Sequence, residues 1–284
     1  MLLAAITPTH WRLEYTVPSQ PDIQSTKLSR ITISCLADLP CSKRYDATRR
    51  SKIAWREKRV WPITTPRGSA FHDALHALHA NRRGCELPLR DLPMFARDAV
   101  HRARYERDVD LVEEQTNVKA MVELFLGFQD PEDVAAIVGL EEQAQFNLIW
   151  KGEPLACMSA TIDRLLVRSD NPKHLVLQEF KTGARRVLLQ EAFLQLWCAH
   201  TQWPEYRTLS LELVWLDMEE HQVYLDVITT DMVRGHQKYL IAAVEHAIRD
   251  EPVAEPGPVC TWCPIRAKCQ SGVEVELAED ELVF

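Results

Sequence analysis

The sequence predicts an α/β fold: a central mixed β-sheet flanked by helices, with a helical region ahead of it and a cysteine-bearing segment behind. Three observations carry that expectation. Helical patterning runs from Lys27 to about Phe128, strand patterning dominates from Ala144 to Thr229, and long helical patterns are set among and after the strands. Hydrophobic residues (46%) and charged residues (26%) sit near globular averages, so 284 residues suffice for one large core and extensive disorder is excluded. No run of about 18 apolar residues occurs, so no membrane-spanning helix is expected.

Taken in order, the first 25 residues are a polar lead-in with a strand expected at Trp11–Val17. Helical pattern follows from Lys27 to about Leu87, broken at Pro62 and Pro66. A helix is expected from near Arg67, with Ser69 as its N-cap, through Phe71-His-Asp-Ala-Leu-His-Ala-Leu-His79. A second, amphipathic and highly charged block runs from Leu92 to about Phe128, and Asp130-Pro131 closes it. Strands are then expected at Ala144–Trp150, Ala156–Arg168, His174–Phe180, Leu209–Leu216 and Gln222–Thr229. The helix Val187–Thr201 separates the third strand from the fourth. A last helix, Met232–Arg249, follows an Asp231 cap and places Leu240, Val244 and Ile248 on one face. The expected divisions are a lead-in at 1–25, a helical region at 26–135, a core at 136–250, and a closing segment with an acidic tail at 251–284.

Chemistry concentrates on two neighbouring strands. Ala160-Thr-Ile-Asp163 delivers one carboxylate, and His174-Leu-Val-Leu-Gln-Glu-Phe-Lys-Thr-Gly183 carries Glu179 and Lys181 two residues apart, on one strand face. Two acids and a lysine converging at a sheet edge can hold a divalent metal and steer a water toward a phosphodiester. His72 recurs with His76 and His79 at helical spacing, and one of the three, His72, is the expected functional imidazole. Gln195 on the following helix can reach back toward Glu179-Phe180-Lys181. Of Glu141 and Glu142, at least one is expected to sit in a solvated turn.

Eight cysteines need an account in a chain expected to be intracellular and cytoplasmic, since the opening Met1-Leu-Leu-Ala-Ala-Ile6 lacks a basic leader. Cys260-Thr-Trp-Cys263-Pro-Ile-Arg-Ala-Lys-Cys269 is a tight group of three thiols that suits either structural zinc or an iron–sulfur cluster. Cys41 is the expected fourth ligand, with Cys35 its competitor; Cys85, Cys157 and Cys198 read as ordinary buried thiols. The net charge of −8 hides a basic stretch. From Lys43 to Arg59, eight basic residues face only Asp46 and Glu57, a local balance of +6 that leaves −14 elsewhere. Trp55 and Trp61 are interleaved there, a composition suited to phosphates and bases.

Read in order, Gly68-Ser-Ala-Phe-His72, Glu141-Glu142, Ile162-Asp163-Arg164, Glu179-Phe-Lys181-Thr-Gly183 and Gln195-Leu196 resemble the motif series of RecB-type nucleases in the PD-(D/E)XK superfamily. Cys260, Cys263 and Cys269 with Cys41 upstream are similar to the cysteine arrangement of its iron–sulfur branch, which includes CRISPR-adaptation nucleases and the AddB nuclease domain. The series departs from the usual pattern at Ala160, where a glycine is common, and at Ala199, where an aromatic is common; Trp197 is the nearby substitute.

The resemblance implies a restriction-endonuclease-like core with an N-terminal helical arch. It implies Mg²⁺ or Mn²⁺ held by His72, Asp163, Glu179 and the Phe180 carbonyl, with Lys181 orienting a water and Gln195 positioning the nucleotide or Lys181. A 4Fe–4S cluster on Cys41, Cys260, Cys263 and Cys269 and exonuclease action on single-stranded DNA also follow from it. No Walker A motif is present, so any motor would be a helicase partner, and CRISPR or recombination proteins are the other expected partners. The competing expectation is a catalytically weak DNA-binding or structural subunit stabilised by zinc or iron–sulfur.

Overall fold

The computed structural model describes residues 28–36, 39–50, 64–103, 109–182, 185, 189–248, 251–255, 257, 260, 263 and 269. The expected strand at Trp11–Val17, the basic stretch beyond Arg50 with Trp55 and Trp61, and Gly183 lie outside these residues. Six strands form one mixed sheet: β1 (Arg30–Ile31), β2 (Ile137–Trp150), β3 (Glu153–Arg168), β4 (Asn171–Lys181), β5 (Thr208–Asp217) and β6 (Gln222–Thr229). Along one path the order is β1-β3-β4-β5-β6, and β2 also pairs with β3. The β4–β5 pair is parallel and is joined through α6 (Leu189–Gln202), the crossover that a parallel pair requires.

Alternation along β5 shows how the layers are built. Leu211, Leu213 and Trp215 join a core with α6 and with α8 (His236–Ala247), while Val214 and Leu216 face a second core formed by α2 (Thr64–Ala80), α3 (Leu92–Arg102) and α4 (Leu111–Phe128). On α2, Phe71, Ala74, Leu75 and Leu78 are buried at helical spacing and fix which side the helix turns to the sheet. Phe71, Phe125 and Phe180 meet edge-on between α2, α4 and β4.

Several boundaries differ from expectation for physical reasons. The helix carrying His72 starts at Thr64, so Pro66 lies in its first turn, where the missing N–H has no intrahelical acceptor to lose; Ser69 lies inside the helix and not at its N-cap. The block expected from Leu92 to Phe128 is two helices, and Asp110 caps the second by accepting from Val112 and Glu113. The last helix is divided at Gly235 into α7 (Thr230–Val233) and α8, with Asp231 in the first turn of α7 and Thr229 at its cap. Strand β2 begins at Ile137, seven residues ahead of the expected start. Cys198 is buried as expected, but Cys157 is half-buried and Cys85 is exposed in the short turn between Arg83 and Glu86. No helix among the described residues is long and apolar enough to cross a membrane.

Candidate active site

Strand β3 creates the site by having two different neighbours along one edge. Strand β2 runs along its other edge, so β1 at Cys157–Met158 and β4 from Arg164 onward must share this one. Asp163 stands where β4 falls away: its Oδ2 accepts the Phe180 N–H at 2.7 Å, a carboxylate doing the work of a ladder carbonyl. The register that pairs Arg164 with Gln178 sets Asp163 opposite Glu179.

Two further groups close on Asp163. The β2–β3 register, with Leu140 on Arg164 and Glu142 on Ile162, puts Glu141 opposite Asp163 from the other side. Glu141 adopts φ +51°, a left-handed backbone that is uncommon outside glycine and interrupts the pleat at this residue. From α2, His72 brings Nδ1 to 3.4 Å from Asp163 Oδ1 and Nε2 to 3.0 Å from the Phe180 carbonyl. A carbonyl can only accept, so Nε2 carries the proton and Nδ1 is the nitrogen turned to the carboxylates. His72, Glu141 and Asp163 each offer one ligand atom, all within 4.8 Å of one another. One imidazole and two carboxylates in that space fit a divalent cation.

Glu179 is held differently. Its Oε1 lies 2.9 Å from Lys181 Nζ and its Oε2 accepts from Gln195 Nε2 at 2.7 Å. The structure therefore brings Glu179, Lys181 and Gln195 together as one unit beside the His72–Glu141–Asp163 group. The Phe180 carbonyl is committed to the His72 N–H. Glu141 was legible only as one of a pair of acids, and its neighbour Glu142 is exposed outside the group. Ala199 is buried within α6, and Trp197 packs against Phe146 and Phe193 in the core.

The electrostatics of the group favour a bound positive charge. Burial pulls the His72 imidazole down, but Asp163 and then Glu179 and Glu141 outweigh it and lift it to about 9. Burial first, then Asp163, pushes Glu179 up. The same two causes lift Glu141 to about 7, although it is exposed and solvent screens its share. Lys181 loses to burial and gains more from Glu179, so it is raised and charged.

His72 in the folded protein keeps its proton up to about 9, against 6.5 unfolded, so the cation-free fold loses stability as pH rises through that window. A cation taking Nδ1 displaces that proton. Mn²⁺ affinity is expected to rise about tenfold per pH unit between pH 7 and 9. Titrating Mn²⁺ against the thermal midpoint at three pH values checks this, and a pH-independent affinity would refute it.

Beside the group lies an open cavity of about 660 Å³, lined by Gly68, Ser69, His72, Asp73, His76, Glu141 and Thr182. Gly68 permits this approach: a Cβ there would sit 2.7 Å from Thr182 Oγ1. His76 thus lines the cavity, whereas His79 is buried, with Nε2 3.2 Å from Arg164 Nη1.

Toward the C-terminus, the chain returns to Cys41. Cys41 Sγ lies 3.9 Å from the Val253 carbonyl, Ser42 Oγ and Val253 exchange hydrogen bonds, and the Lys43 N–H donates to Val253 at 3.2 Å. Seven residues on, Cys260 Sγ accepts the Gly257 N–H at 3.4 Å and its carbonyl accepts from Cys263. Cys35 points elsewhere, to Thr32 Oγ1 and the Arg30 carbonyl.

The PD-(D/E)XK nuclease superfamily model matches residues 32–270. No curated protein matches the sequence. Among solved structures, the chain is similar to a candidate exonuclease from Eubacterium rectale, at 8% identity and a TM-score of 0.49 over 91% of this chain and 99% of that one. It is also similar to SSO0001, at 12% identity and a TM-score of 0.39 over 87% of this chain and 89% of that one.

Proposed function

The chain belongs to the PD-(D/E)XK nuclease superfamily, and from that premise we propose that it is a metal-dependent exodeoxyribonuclease of the RecB-like iron–sulfur branch, acting on single-stranded DNA. The observation that carries the reading is the convergence of His72, Glu141 and Asp163 within 4.8 Å beside the Glu179–Lys181 pair.

Each residue has a separable task. His72 and Asp163, with Glu141, form the cation seat; the Phe180 carbonyl locks the imidazole tautomer by accepting the hydrogen bond of its Nε2–H. When bound, a divalent cation supplies charge to the phosphate oxygens and lowers the pKa of a water. Lys181 donates a hydrogen bond to the attacking water or to a non-bridging oxygen, where negative charge develops. Gln195 holds the carboxylate that holds Lys181. Glu179 has one oxygen on each of these donors and can lend either to the cation seat. The open cavity beside the seat leaves the group accessible to a nucleotide.

Four thiolates, Cys41, Cys260, Cys263 and Cys269, suit a 4Fe–4S cluster that ties the C-terminal segment to the region of Cys41. The contacts of Cys41 and Ser42 with Val253 and the N–H donated to Cys260 Sγ support that assignment. Cys263→Ala is expected to remove the brown colour of the purified protein and lower its solubility; an unchanged visible absorbance would rule out Cys263 as a ligand. The function itself is tested with Mn²⁺ and end-labelled single- and double-stranded DNA oligonucleotides. Stepwise shortening of the single strand is expected. Intact substrate at every Mn²⁺ concentration would end the nuclease reading.

A further inference from the structure

Helix α6 meets the Glu179–Lys181 pair with two side chains one turn apart, and their polarities are complementary. Gln195, only 2% exposed, gives its amide N–H to Glu179 Oε2 at 2.7 Å. Glu191, at i−4 on the same helical face, places Oε2 4.0 Å from Lys181 Nζ. Lys181 in turn is 2.9 Å from Glu179 Oε1. The donor on the helix faces the carboxylate, and the acid on the helix faces the ammonium.

We propose that Glu191 is a positioning residue for Lys181, anchoring its ammonium from α6 so that it keeps its place when Glu179 turns toward the cation seat; this rests on the nuclease reading above. A lysine is a compact charge on a flexible stem, and a charge tied to one carboxylate follows that carboxylate. If Glu179 lends Oε1 to a cation, its bond to Lys181 is broken. Glu191 comes from a different element, on a helix packed into the larger core, and it stands outside the group of His72, Glu141 and Asp163. It can therefore keep hold of Lys181 without contributing to the seat. Both side chains of the pair are 29% exposed, so solvent screens the attraction and the effect is moderate.

The test is Glu191→Gln, which keeps the shape of the side chain and removes its charge, with Glu191→Asp alongside. On a single-stranded oligonucleotide with Mn²⁺, Glu191→Gln is expected to lower kcat about tenfold, about 1.4 kcal/mol, with KM and the Mn²⁺ half-saturation unchanged. Glu191→Asp is expected to recover most of the loss. A kcat within twofold of wild type, or a loss confined to KM, overturns the proposal. Urea unfolding of Glu191→Gln, Lys181→Met and the double variant gives a readout independent of cleavage, and non-additive midpoints are expected. If the wild-type protein does not cleave, the nuclease reading falls, and additive midpoints then overturn the pairing of Glu191 with Lys181 as well.

Discussion

Asp163→Asn is expected to reduce cleavage by about 10³-fold or more while the protein stays folded and keeps its grip on single-stranded DNA. Asparagine preserves the acceptor that Phe180 N–H uses at 2.7 Å, so the parting of β3 and β4 survives the change. An alanine there would also orphan a buried N–H, at a cost of about 1–3 kcal/mol, and would confuse folding with chemistry. What the asparagine loses is charge. Asp163 is the residue shared by every other member of the seat: it faces His72 at 3.4 Å, shares the ligand space with Glu141 and raises Glu179. Without it, the stabilisation by Mn²⁺ should vanish together with turnover, because a ligand that no longer binds the native state cannot stabilise it. Glu142→Gln, one residue past the seat on β2, is the matched control and should retain activity within twofold. Turnover persisting in purified Asp163→Asn at more than a few per cent of wild type would remove this carboxylate from the reaction.

The parts of this site that were legible in the sequence are those set by local pattern. Glu179 and Lys181 share a strand face because side chains alternate, and His72 stands at the end of the Gly68-Ser-Ala-Phe-His72 stretch, on a helix face it shares with His76 and His79. Gln195 follows on the next helix, close in sequence to the strand it serves. Glu141 was legible only as one of the Glu141-Glu142 pair in the motif series, because which of the two enters the group depends on the register between β2 and β3, a long-range property. Glu141, Glu142 and Gln143 are exposed in a row, so β2 loses there the alternation that marks a half-buried strand. His79 reads as amphipathic filler in the helix pattern. Its burial depends on Arg164, eighty-five residues away, and the sequence alone does not show that pairing.

That pairing leads to the largest expected effect on stability. Arg164 is only 1% exposed, and its guanidinium donates from Nε to Gln178 Oε1 at 2.7 Å and from Nη1 to Gln129 Oε1 and His79 Nε2. It also lies over the rings of Phe125 and Phe180, at 5.1 and 5.5 Å. Burial draws it down to about 10, so it is charged at neutral pH. Burial and then Arg164 itself lower His79 to about 3, which leaves that imidazole neutral and able to accept. One side chain therefore joins α2, β4 and the end of α4 directly behind the cation seat. Arg164→Met keeps the length of the stem but strands three acceptors in the interior, at a cost of about 3 kcal/mol. For a chain of 284 residues that is a fall in Tm of about 5 °C. Because His79 and His72 are two turns apart on α2, losing the Arg164 contact also loosens the placement of His72 against Asp163, and Mn²⁺ affinity is expected to fall with the midpoint. Arg164→Lys should recover little, since one ammonium cannot reproduce the planar fork. Thermal unfolding with and without Mn²⁺ measures both effects; a midpoint within about 2 °C of wild type would mean that α2 is held to the sheet by its apolar face alone.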